Sequence, residues 1–197
     1  MSQSIPSPAS EILRALEQLA AVLNECNTDY ALIGGLGVSV RGPVRATRDI
    51  DMLVSVSQIQ LPKTLEALDK SGFQLDLYRS IRTWNEDHLL DFAFGSVRID
   101  WIKAVLPVFS RILSRAEWEA ILGGRIRVAD AEGLLLLKLI SFRPRDQEDI
   151  RGLLAANPGS LDLDWVRKEW LQLASDDDRR TEQFEHLVRE FYRPPAN

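Results

Sequence analysis

Asp49-Ile50-Asp51 runs without a break into Met52-Leu53-Val54, and that junction of acid and apolar chain restricts the fold sharply. A run that first alternates and then becomes continuously apolar reads as a strand emerging from a core. On a strand, residues two apart share a face. Both carboxylates therefore project side by side while Ile50 and Leu53 anchor the strand. Two such charges repel unless a proton or a cation lies between them. An oxygen-only ligand pair suits Mg²⁺, which completes its shell with waters and substrate phosphates.

Upstream, residues 30–33 form a short apolar run that stops at Gly34-Gly35, as a buried strand would. Residues 36–41 then read as a short helix ended by Gly42-Pro43. Glycines let backbone amides approach a phosphate closely, and a following helix points its partial positive charge at the same place. Downstream, Val97-Arg98-Ile99-Asp100-Trp101-Ile102 places one acid inside an apolar alternation. A third carboxylate is what a two-metal arrangement requires. Gly-Gly alone and Asp-x-Asp alone are weak signals. Their order along the chain, with Asp100 on a later strand, carries the information.

The remaining pattern is mixed. Residues 1–8 read as a disordered Ser/Pro-rich leader, and residues 9–27 as a helix capped by Ser10. A helix is expected over 62–71, strands over 73–78, 89–94 and 97–102, and a helix over 106–113. A hairpin around Gly123-Gly124 leads to a strand over 125–128, and helices follow over 132–142, 145–156, 163–174 and 179–192. The expectation is an α+β fold with a mixed central sheet flanked by helices. Residues 9–128 form its core and 129–197 a C-terminal helical region packed on it.

Composition removes several classes of function. One cysteine, Cys26, and two histidines, His88 and His186, make a zinc site improbable. No apolar run is long enough to cross a membrane, and the N-terminus lacks a signal-peptide pattern. A cytoplasmic location is expected. A net charge of −5 argues against wholesale coating of nucleic acid. Arginine nevertheless dominates the basic residues, and Arg41, Arg45 and Arg48 cluster beside the acidic strand, which suits a local phosphate site. The five tryptophans lack regular spacing and read as packing residues. Asp176-Asp177-Asp178 reads as a solvated loop and helix cap.

In this arrangement the chain resembles the nucleotidyltransferase superfamily typified by DNA polymerase beta. Gly34 and Gly35 match its Gly-Gly or Gly-Ser motif, Asp49 and Asp51 its Asp-x-Asp, and Asp100 its third acid. It most resembles small bacterial members related to abortive-infection toxins. They carry a similar stretch to Arg45–Asp51 and a helix lysine followed by an Arg/Asp-rich turn, here Lys138 and Arg143–Asp149. The likeness covers residues 28–155.

The resemblance implies Mg²⁺, with two ions, held by Asp49, Asp51 and Asp100, and a nucleoside triphosphate near Gly34, Gly35, Arg45, Thr47 and Arg48. It implies that Lys138 reaches the phosphates or the carboxylates, with Asp146 and Asp149 packing or positioning it. RNA, protein or a small molecule remains open as acceptor, and an antitoxin partner is implied if the toxin relationship holds. Gly35 departs from the members whose serine touches a phosphate. The alternative is a catalytically inactive nucleotide-binding or protein-interaction module with the same fold.

Overall fold

A computed structural model describes residues 8–121, 123–174 and 178–192. Among them the chain forms α1 (Pro8–Glu25), β1 (Asp29–Leu32), α2 (Gly34–Arg41), β2 (Asp49–Ser55), α3 (Leu61–Lys70), α4 (Leu77–Glu86), β3 (Leu89–Phe94) and β4 (Val97–Lys103). The second half adds α5 (Pro107–Arg115), β5 (Glu117–Ile121), β6 (Gly124–Val128), α6 (Ala131–Ser141), α7 (Pro144–Ala156), α8 (Leu163–Trp170) and α9 (Arg179–Phe191). The strands join in one mixed sheet of order β3-β4-β2-β1-β6-β5. β2 runs parallel to β4 and antiparallel to β1.

Strand alternation divides the interior into two apolar layers. Tyr30, Leu32, Ile50, Met52, Val54, Ile99 and Trp101 face a cluster shared with α1, α3 and α4. Ala31, Ile33 and Leu53 face the opposite cluster, built with α2 and α5–α9. Asp49 and Asp51 share the Leu53 parity of β2, so they lie on the sheet face that the later helices cover. The position of the acids thus follows from which face each strand residue must bury.

Several local expectations change. Residues 73–78 do not form a strand. Gln74 makes one isolated bridge to Ala93, and Asp76 then accepts a hydrogen bond from the Arg79 backbone N–H at 2.8 Å, capping α4. Leu77, Ile81 and Trp84 recur at helical spacing there, and Trp84 is fully buried. Ser10 lies inside α1 and does not cap it, because the helix already includes Pro8. α2 begins at Gly34 itself, and α8 ends at Trp170. Trp118, 47% exposed, packs beneath the Arg125 guanidinium of the paired strand and so joins two elements rather than the core.

Asp178 accepts the Arg180 N–H at the start of α9, while Asp176 and Asp177 lie outside the described residues. Of the leader, residues 1–7 also lie outside them. No helix among the described residues is long and apolar enough to cross a membrane.

Candidate active site

β1 delivers the chain to Gly34 at φ +60°, a left-handed conformation that glycine adopts without strain. A Cβ there would stand 1.9 Å from Asp51 Oδ2, and one at Gly35 would stand 2.9–3.0 Å from the Arg45 guanidinium and the Thr47 hydroxyl. The Gly35 backbone N–H lies on the Asp51 side of the turn and lowers the cost of charge there slightly. The missing side chains of the glycine pair make room for Asp51, Arg45 and Thr47.

Across the sheet Asp51 lies opposite Asp100, and Asp49 opposite Arg98, on the parallel pair β2/β4. Burial pushes the Asp51 carboxyl up from the ordinary range, and repulsion from Asp100 and Asp49 adds to it against the opposing charge of Lys138. Burial also pushes Asp100 up, only partly offset by Arg98. Arg98 Nε and Nη2 both reach Asp100 Oδ1, each at 2.9 Å. The oxygen-only donor set fits Mg²⁺ in kind, and the mutual repulsion of the acids gives a cation something to relieve. As they stand, however, no three acidic, histidine or cysteine side chains among the described residues converge on a point that could hold a metal. Asp100 is paired with Arg98 in this arrangement.

A wall of cations faces the acids. Lys138 is buried on α6, its Nζ 3.0 Å from Asp146 Oδ1 and 2.8 Å from Asp149 Oδ2. Arg45 grips the same Asp149 with Nε at 2.7 Å and Nη2 at 3.0 Å. Ser39 accepts the Arg45 backbone N–H, tying that loop to α2. Phe142, in the left-handed region at φ +45°, reverses the chain between α6 and α7. Asp146 on α7 then accepts from Lys138, from the Ser141 hydroxyl and from both the backbone and Nε of Arg143. Burial pushes Asp146 up, but the hydrogen bonds from Arg143 and Lys138 outweigh it and hold the carboxyl at about 2.

Between the walls lies a cleft of about 540 Å³, with Asp49, Asp51 and Asp100 on one side and Arg45, Thr47 and Lys138 around Gly34 and Gly35 on the other. Arg48 is exposed and stands outside this lining. Arg98, Arg143 and Arg145 also line the cleft, the last two within the Arg/Asp-rich turn but with no site role expected of them individually. Arg98 was legible from its spacing, two residues before Asp100 on a strand. His88 sits outside the lining, in a left-handed turn before β3.

The family described as nucleotidyltransferase of unknown function (DUF6036) matches residues 11–193. The chain belongs to that family. Among solved structures, this chain is similar to an antigenic nucleotidyltransferase-like protein from Paracoccidioides brasiliensis, at 15% identity and a TM-score of 0.51 over 89% of this chain and 93% of the other. It is also similar to JHP933 from Helicobacter pylori, at 15% identity and a TM-score of 0.51 over 98% and 87% of the two chains. These likenesses establish the nucleotidyltransferase fold. No curated protein matches the chain.

Proposed function

We propose that the cleft binds a nucleoside triphosphate with Mg²⁺ and transfers its nucleoside monophosphate to an acceptor hydroxyl, releasing pyrophosphate. The observation that carries this reading is the pairing of Asp51 with Asp100 on adjacent strands, facing Arg45 and Lys138 across one cleft. Asp49, Asp51 and Asp100 would hold the ions. Bound there, Mg²⁺ would neutralise triphosphate charge and make the acceptor hydroxyl more acidic.

The chain's own residues do the rest. Lys138, fixed by two buried carboxylates, presents its charge toward Asp51 and the phosphates. Arg45 is pinned through Nε and Nη2, which leaves Nη1 for a phosphate oxygen, and the Thr47 hydroxyl lies beside it. Asp100, raised above the ordinary carboxylate range, is suited to receive the acceptor's proton at Oδ2. The new bond joins acceptor oxygen to the α-phosphorus as the bond to the pyrophosphate oxygen breaks, and the proton leaves through Asp100. Catalysis here is mainly positioning and charge stabilisation.

The test is incubation of the full chain with Mg²⁺, each α-labelled nucleoside triphosphate, and total RNA plus cell protein. Label on a discrete RNA or protein band, lost in Asp49→Ala/Asp51→Ala, supports the proposal and gives the acceptor class. Absence of both transfer and pyrophosphate release with every triphosphate, including when small hydroxylated acceptors are added, overturns it.

A further inference from the structure

Arg98 has a second place to go. It shares a strand face with Asp100, and both fork nitrogens fall on one Asp100 oxygen. Directly across β3, its register partner is Ala93, a side chain too small to block it, and the residue opposite Asp100 is Asp91. Diagonal neighbours on paired strands are about 7–8 Å apart at their Cα atoms, within the sweep of an arginine. Asp91 is well exposed and contacts Arg79 only loosely, at 3.9 Å. Arg98 also lines two cavities, the catalytic cleft and a smaller one of about 290 Å³ under α4, and Asp91 lines only the second.

We propose that Arg98 is a cation-controlled latch: it pairs with Asp100 when no divalent ion is bound and transfers to Asp91 when one arrives. The inference rests on Asp100 being a cation ligand, as in the function proposed above. The guanidinium is the local counter-ion for a carboxylate that is otherwise surrounded by other acids. An incoming divalent ion must take Oδ1 from it, and the released arginine then needs a partner. Asp91 provides that partner outside the catalytic cleft, leaving the acceptor's approach to Asp100 clear. Arg98 is therefore a positioning residue, acting through the carboxylate it holds.

The latch predicts how two exposed side chains couple. An exposed ion pair is worth about 0.2–1 kcal/mol, so the effects on cation affinity should be about 1.4- to five-fold. Mn²⁺ binding to the full chain is measured by titration calorimetry and electron paramagnetic resonance, without nucleotide. Arg98→Gln removes the competitor and should tighten Mn²⁺ binding. Asp91→Asn removes the landing partner, keeps Arg98 on Asp100, and should weaken it. In the double variant the Asp91 change should have no further effect, because nothing is left to land. Simple long-range electrostatics would instead make the two effects multiply independently, and that result overturns the latch. Mn²⁺ binding by the wild type that is unchanged in Arg98→Gln also overturns the latch while leaving the proposed function standing. Absence of Mn²⁺ binding in both wild type and Arg98→Gln sinks the cation reading, and the latch with it.

Discussion

Asp146→Asn separates the buried ion network from ordinary packing, because the two amino acids have nearly the same shape. Asp146 is 2% exposed and accepts hydrogen bonds from Lys138, Ser141 and Arg143. Its carboxyl is held at about 2 against an ordinary 3.8. At about 1.4 kcal/mol for each pH unit, that difference stabilises the fold by roughly 2–3 kcal/mol at neutral pH. The asparagine loses the charge and sets its N–H₂ against donors, so the cost should be at least of that order, approaching the range of about 3–5 kcal/mol for breaking a buried pair.

The pH dependence follows from linkage. A carboxyl whose folded pKa is depressed contributes stability that is complete above 3.8 and disappears as pH falls through about 2. The gap between wild type and Asp146→Asn should thus be full at pH 7 and shrink to roughly half at pH 3. Urea unfolding of both proteins at the two pH values measures it. A gap under about 0.5 kcal/mol at pH 7, or the same gap at both pH values, would refute the charge argument.

Other outcomes follow from the same geometry. Gly34→Ala must place a methyl 1.9 Å from Asp51 Oδ2 on a left-handed backbone, so it should cost more than about 2 kcal/mol in urea unfolding; wild-type stability would contradict the packing. Asp51→Asn should stabilise the cation-free chain by about 1 kcal/mol, because burial and like charges oppose ionisation there, while abolishing transfer. Calorimetric melting of that variant below the wild-type temperature would count against it. Asp51 and Asp100 have raised folded pKa values, so their stabilising contribution is complete below 3.8 and lost as pH rises through those values. Melting curves taken upward from about pH 4 should show this loss in chelator and a smaller one in millimolar Mg²⁺, and a loss of equal size in both would disprove the link.

What the sequence disclosed depended on how local each cue was. The acidic strand and Asp100 each announce themselves within six or seven residues, because strand alternation is a period-two signal and an acid breaks it visibly. The glycine pair was legible as a close-approach point, but not what approaches. That needs the positions of Asp51, Arg45 and Thr47 in space. Helix α4 was hidden because the strand reading of residues 73–78 absorbed its first residues. The Asp149 pair with Arg45 joins side chains 104 residues apart, a relation no spacing rule can express. Arg143 and Arg145 reach the cleft through the turn at Phe142, and a left-handed phenylalanine has no sequence signature.

That 104-residue separation also sets an order in time. During synthesis the strand bearing Asp49 and Asp51 emerges well before α6 and α7. At about 5–20 residues per second, the acids wait several seconds or more for Lys138 and Asp149. Over that interval Arg45 has no buried anchor and Asp51 lacks its compensating charge. The nascent chain thus carries the carboxylates without the opposing wall, and the two sides of the cleft meet only once α7 has emerged.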